Sequence, residues 1–146
     1  LSPATPTDFA DYKARFDSQS LHQMLGITVE EQKPGYGRIR LNKEDKTPAG
    51  IGGSVHGGIL AAMVDIAMLV AIFSEWREGE QPAGTADLSI SYLRQAHGRF
   101  VDAEAKVLKR GRQLAVVEVD IIDEEGTLCA KGRTLYAFRA GVANQV

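Results

Sequence analysis

The sequence predicts an α+β domain in which one antiparallel sheet curls around one long buried helix. Three observations predict it. The run from Gly57 to Phe73 is apolar throughout except for Asp65. Four strand-like segments follow that run with no helical pattern between them. Two shorter strand-like segments precede it, split by the turn formers Pro34 and Gly35. At 146 residues and 44% hydrophobic the chain has the size of one ordinary domain with one core.

Taken in order, Thr7 is the expected N-cap of an amphipathic helix from about Asp8 to Gln19, where Phe9, Tyr12 and Phe16 recur at helical spacing. A short turn, SLHQMLG, then ends at Gly26. Ile27 to Lys33 and Gly37 to Leu41 make a hairpin. The stretch KEDKTPAGIGGSVHGG carries a proline and five glycines, so it is a loop that stops where the apolar helix begins. That helix, from about Gly57 to Trp76, is apolar on nearly every side, which predicts burial on all sides. Beyond Glu78 and Gly79 the pattern changes to alternation. Leu88, Ile90 and Tyr92 share one face of a first strand, and further strands run from about Arg99 to Lys109, Leu114 to Asp123 and Thr127 to Arg139. The expected pairing is a meander of these four. Residues 1–6 and 140–146 lack periodicity and read as loose ends of a single 1–146 domain.

Composition excludes several classes. The formal net charge is −2 with both signs interspersed, so there is no basic nucleic-acid face. Asp65 in the middle of the apolar run adds roughly 2.5–3.5 kcal/mol to membrane insertion, which favours a core helix over a membrane span. The first residues, LSPATPTDFA, lack the basic and apolar blocks of a signal peptide. A single cysteine, Cys129, cannot form an intrachain disulfide and fits the cytoplasm. With one cysteine and only His22, His56 and His97, none at ligand spacing, no metal site is expected.

Two features carry chemistry. Asp65 is an acid among apolar neighbours, costly unless it is paired internally or lines a cavity, and the residue pattern leaves both open. His56-Gly57-Gly58 stands where a glycine loop feeds a helix, so the first backbone N–H groups have no intrahelical partner. Such donors, at the positive end of the helix dipole and unobstructed by a side chain, suit an oxyanion; an ordinary capped junction fits the same residues. Nine residues separate His56 from Asp65, about 13.5 Å of helical rise and two and a half turns, so the two lie on opposite faces. One chain cannot bring both to one small reacting group. Two helices packed antiparallel can, which makes a shared site a homodimer.

The decapeptide HGGILAAMVD resembles the HGG-x6-D signature of the PaaI-like hotdog-fold thioesterases. The segments GTADLSISYLRQA and KVLKRGRQLAVVEVDIIDEEGTLCAKGRTLYAF resemble the strands that follow that family's helix, so the likeness runs from about Ile27 to Phe138. It implies a hotdog fold and hydrolysis of an acyl-CoA thioester to free acid and CoA. It further implies that the Gly57 amide polarises the thioester carbonyl and that Asp65 of the facing subunit acts as base or nucleophile. By the same likeness His56 stands beside the oxyanion donor, and Thr85 helps position the water from the chain that supplies the carboxylate. Gly58 and Ser54 border the substrate. No cofactor is implied, since coenzyme A is part of the substrate. A homodimer is expected, and look-alikes also form dimers of dimers. One departure stands out: the family commonly places Asn or Gln six residues before the motif histidine, and here Gly50 occupies that position. Ser54 or Asn42 then substitutes, or the enzyme is slower or tuned to an unusual acyl group.

The phosphates of CoA need cations, and Lys106, Lys109, Arg110 and Arg112 cluster around the turn at Gly111, with Arg94 and Arg133 behind them. A solvated hairpin accounts equally well for any single one of them. Hotdog folds also host dehydratases and non-catalytic acyl-CoA-binding or sensing domains, so the fold alone does not decide the activity. HGG-x6-D matches the thioesterases better than the dehydratases, and no helix-turn-helix is appended for a DNA-bound sensor. The absence of G-K-[ST] removes a P-loop. His56 standing where the second glycine of G-x-S-x-G belongs removes a serine-hydrolase elbow.

Overall fold

The computed structural model describes residues 8–140. Helix α1 is Phe9–Asp17 and helix α2 is Ser20–Leu25. Asp8 is the cap of α1, its carboxylate accepting the Asp11 N–H at 2.8 Å, whereas the expected cap, Thr7, lies outside the described residues. SLHQML, expected as a turn, winds into one short helix. Strands β1 (Ile27–Lys33) and β2 (Tyr36–Asn42) form the hairpin, and helix α3 is Gly57–Phe73. Strands β3 (Glu80–Tyr92), β4 (Phe100–Arg110), β5 (Leu114–Asp123) and β6 (Leu128–Ala140) complete a six-stranded antiparallel sheet. Ala140, placed with the loose C-terminal end by sequence, is the last residue of β6 and pairs with Glu80. Residues 1–7 and 141–146 lie outside the description.

The sheet order is β1-β2-β4-β5-β6-β3. The four late strands are therefore not a meander. β4, β5 and β6 are, but β3 lies at the far edge against β6, and β4 returns to pair with β2. Alternation fixes which face a side chain takes, not which neighbour a strand takes, so the sequence pattern is blind to this crossing. The crossing has a structural use. The β3–β4 connection passes over the end of the sheet beneath the glycine loop, where Val55 N–H donates to the Ala96 carbonyl at 3.0 Å.

α3 lies directly on the sheet at two glycines. A Cβ on Gly37 would sit 2.5 Å from a Val70 methyl, and one on Gly132 would sit 2.6 Å from a Val64 methyl, so only glycine admits this approach. Met63, Val64, Ala67, Met68, Val70 and Ala71 pack there without exposure. The helix is not enclosed on all sides, as its composition suggested. Ile59, Ala61, Ala62, Asp65, Leu69 and Phe73 are half-exposed along one face. It also ends three residues earlier than expected. The Ser74 hydroxyl bonds the Ala71 carbonyl at 2.6 Å and accepts the Gly35 N–H at 2.9 Å, turning the chain so that Trp76 packs on Phe73 and Phe138.

Candidate active site

The first half of the site is the start of α3. His56 caps the helix: its Nδ1 accepts the Gly58 N–H at 2.9 Å, and its carbonyl accepts the Ile59 and Leu60 N–H groups at 2.9 and 3.2 Å. Among the described residues the Gly57 N–H alone of these first-turn donors has no recipient. It borders a cavity of about 480 Å³ whose lining includes Gly50, Ser54, His56, Tyr92, Arg94 and Gln95. An N–H without a partner among the described residues, at a helix N-terminus that borders a cavity, can bond an incoming carbonyl oxygen.

The second half is Asp65, on the half-exposed face of α3. The Thr85 hydroxyl donates to its Oδ1 at 2.7 Å, and no cationic side chain among the described residues lies within ion-pair distance. Thr85 projects from β3 opposite Tyr136 of β6, whose phenol is pushed up by burial and, after that, by the Asp65 charge. Asp65 borders a second cavity, of about 260 Å³, walled mainly by Tyr12, Phe16, His22, Leu69 and Phe73. Burial lowers the His22 pKa, so the ring is held neutral, its Nδ1–H donating to the Phe16 carbonyl at 2.7 Å. The internal ion pair that sequence left open for Asp65 is absent among the described residues, and a cavity is present.

Thr85 and Asp65 thus meet within one chain, as the sequence resemblance implied. Gly57 and Asp65 do not, and each borders a different cavity. Ser54 reaches the Gly57 cavity, buried, with its hydroxyl donating to the Ile51 carbonyl at 2.7 Å. Asn42 does not reach it. Its side-chain amide is bound to the Gly26 carbonyl and the Thr28 hydroxyl. A Cβ on Gly50 would meet the Ser54 hydroxyl at 3.1 Å and His56 Cα at 3.3 Å, so the loop is packed around a glycine.

The basic turn divides. Arg110 is nearly buried, paired with Glu80 and stacked over Phe138 at 3.6 Å, so its guanidinium serves the fold. Lys106 stands among Glu104, Glu118 and Asp120 on the outer face of the sheet. Lys109 and Arg112 lie near the Phe138 end, beside the C-terminus of α3 and away from Gly57 of the same chain. Arg94 is the cation at the Gly57 cavity, and Arg133 lies on the outer face with Ser89 and Ser91. Two further residues escaped the sequence reading. Tyr92, set by alternation on one face of its strand with Leu88 and Ile90, is exposed and donates its hydroxyl to the Gly57 carbonyl at 2.7 Å. Gln95 lies against Gly52 and the cavity because of the crossing of β3 to β4. Only the tertiary pairing of the loop with that crossing places either one.

A curved antiparallel sheet against one long helix, with a short helix before it, defines a hotdog fold. The Thioesterase superfamily family model matches residues 52–130. A putative esterase of Halobacterium salinarum is 36% identical over 126 residues, covering 80% of this chain and 83% of its own. Human acyl-coenzyme A thioesterase 13 is 32% identical over 124 residues, covering 83% and 86%. Zebrafish thioesterase superfamily member 2 superposes with a TM-score of 0.77 at 28% identity over 90% of this chain and 99% of that one. The fold of the Escherichia coli PaaI protein also matches, with a TM-score of 0.70 at 21% identity over 88% and 96%. The chain belongs to the thioesterase superfamily.

Proposed function

We propose that this chain hydrolyses an acyl-CoA thioester to the free acid and CoA, in a site built from two copies of the chain. The Gly57 N–H of one copy receives the thioester carbonyl. Asp65 of the other, held by Thr85, activates water or attacks the carbonyl carbon itself. The observation that carries the reading is a pair of separated features: among the described residues, a donor without a recipient at one cavity and a carboxylate without a cation at another. Human acyl-coenzyme A thioesterase 13 supports the substrate class by its name.

The surface needed for a second copy is present. β3 is a thirteen-residue edge strand, mostly exposed, beside the half-exposed apolar face of α3 that carries Asp65. An unpaired edge beside an uncovered apolar strip favours pairing with another chain. Antiparallel docking of two α3 helices brings each Gly57 toward the other copy's Asp65 and each Gly57 cavity toward the other copy's Lys109 and Arg112. Those cations, with Arg94, are the proposed partners of the CoA phosphates. Water and the CoA ester are the only reactants required.

The test is thiol release from a panel of aromatic, medium-chain and β-keto acyl-CoA esters, with sedimentation of the same preparation. Release from at least one ester by a dimer or larger assembly is expected. No release from any ester, or full activity in a monomer, overturns the reading.

A further inference from the structure

The least restrained peptide at the start of α3 is the one joining Gly57 to Gly58, because neither residue has a Cβ to limit its rotation. It is held at both ends. Its N–H donates to His56 Nδ1 at 2.9 Å, and its carbonyl accepts the Tyr92 hydroxyl at 2.7 Å. Tyr92 also fills the space a side chain would occupy: a Cβ on Gly57 would lie 3.3–3.5 Å from Tyr92 Cε1, Cζ and the hydroxyl oxygen. The tyrosine is itself anchored, since the next two residues, Leu93 and Arg94, both donate their N–H groups to the Cys129 carbonyl at 2.8 and 3.0 Å.

We infer that Tyr92 is a positioning residue for the oxyanion donor: together with His56 it clamps the Gly57–Gly58 peptide and so fixes the direction of the Gly57 N–H. The first turn of a helix frays readily, whereas a donor stabilises developing charge best when no reorganisation is needed at the moment of reaction. When the first turn frays, the Gly57–Gly58 peptide is displaced as a body and carries with it the Gly57 Cα and so the adjoining His56–Gly57 peptide, which bears the free N–H; bonds at both ends of the Gly57–Gly58 peptide oppose that displacement. Tyr92 does not need to touch substrate for this. Because Nδ1 of His56 is the acceptor, the neutral ring carries its proton on Nε2. The same β3 strand that aims Asp65 through Thr85 thus aims Gly57 through Tyr92.

The consequence for turnover rests on the thioester reading above; the clamp itself does not. Tyr92→Phe keeps the ring and removes only the hydroxyl. Amide hydrogen exchange of Gly58, read by NMR, should accelerate about three- to tenfold, the scale of one neutral hydrogen bond. Melting temperature should fall by no more than about 2–4 °C. With a CoA ester that the wild type hydrolyses, kcat should fall by a similar factor with KM unchanged, and Tyr92→Phe should add little in a His56→Ala background because both residues hold one peptide. Unchanged Gly58 exchange overturns the clamp. Faster exchange with unaltered kcat leaves the clamp standing and shows that the Gly57 N–H is not the oxyanion donor. A rise in KM alone shows that Tyr92 contacts substrate and overturns the positioning role.

Discussion

Replacing Asp65 by Asn keeps the side-chain volume and removes the charge, and the structure sets the size of both consequences. The carboxylate has the Thr85 hydroxyl at 2.7 Å and no cation within ion-pair distance among the described residues. An amide oxygen can accept the same hydroxyl, so a charge-assisted hydrogen bond is exchanged for a neutral one, a loss of about 1 kcal/mol. Relief of a half-buried charge offsets part of that. Melting temperature should therefore shift by no more than about 2–4 °C. Had Asp65 held a buried cation, the substitution would have stranded it at about 3–5 kcal/mol, a fall of roughly 10 °C. Activity should move far more: with the base or nucleophile gone, kcat should drop by about 10²–10⁴ with KM nearly kept. Thermal melting and steady-state thiol release on one purified variant read both quantities. A folded Asp65→Asn protein with wild-type turnover would refute the assignment.

Thr85→Val removes the hydroxyl that holds the Asp65 carboxylate, and kcat should fall about 10–10²-fold while melting changes little; equal turnover would mean Asp65 needs no such orientation. Arg110→Met breaks the pair with Glu80 and should destabilise by about 3 kcal/mol in denaturant titration, leaving KM for the CoA ester unchanged; a raised KM with unaltered stability would return Arg110 to the substrate. Gly37→Ala forces a methyl against Val70 and the Ala71 N–H, and should lower stability by about 1–3 kcal/mol in the same titration, at a position that lines neither cavity. An unchanged midpoint would show that α3 can lift away from β2.

Periodicity and turn chemistry placed the elements of this chain well, since strands with one buried face and helices with capped ends write their bounds locally. β5 begins and ends where the alternation of Leu114 to Asp123 does. The placement written in one short segment was also legible: His56, Gly57 and Asp65 sit where helix geometry requires, on faces that open to separate cavities. What depended on which strand neighbours which was not legible. β3 lies at the far edge of the sheet, and this alone carries Tyr92 to Gly57 and Gln95 under the glycine loop. Arg110 illustrates a second limit. A basic cluster in sequence does not reveal which guanidinium is already taken, and the partner, Glu80, is brought to it only by the folded sheet. The open face of α3 escaped for a third reason: a helix apolar on every side looks the same whether its own chain or a second copy covers it.

The central claim, one site made from two chains, is tested most directly by mixing two inactive variants. Gly57→Val crowds the donor and displaces Tyr92 in one, and is expected to cost about 10²–10³ in kcat. Asp65→Asn disables the carboxylate in the other. In a dimer of one of each, one site receives both lesions and the other receives an intact Gly57 from one chain and an intact Asp65 from its partner. Random exchange makes half the dimers mixed, so activity should return to about one quarter of wild type. Recovery to that level after subunit exchange, verified by mass spectrometry of the intact dimers, is the expected result; complete exchange without recovery would contradict the shared site.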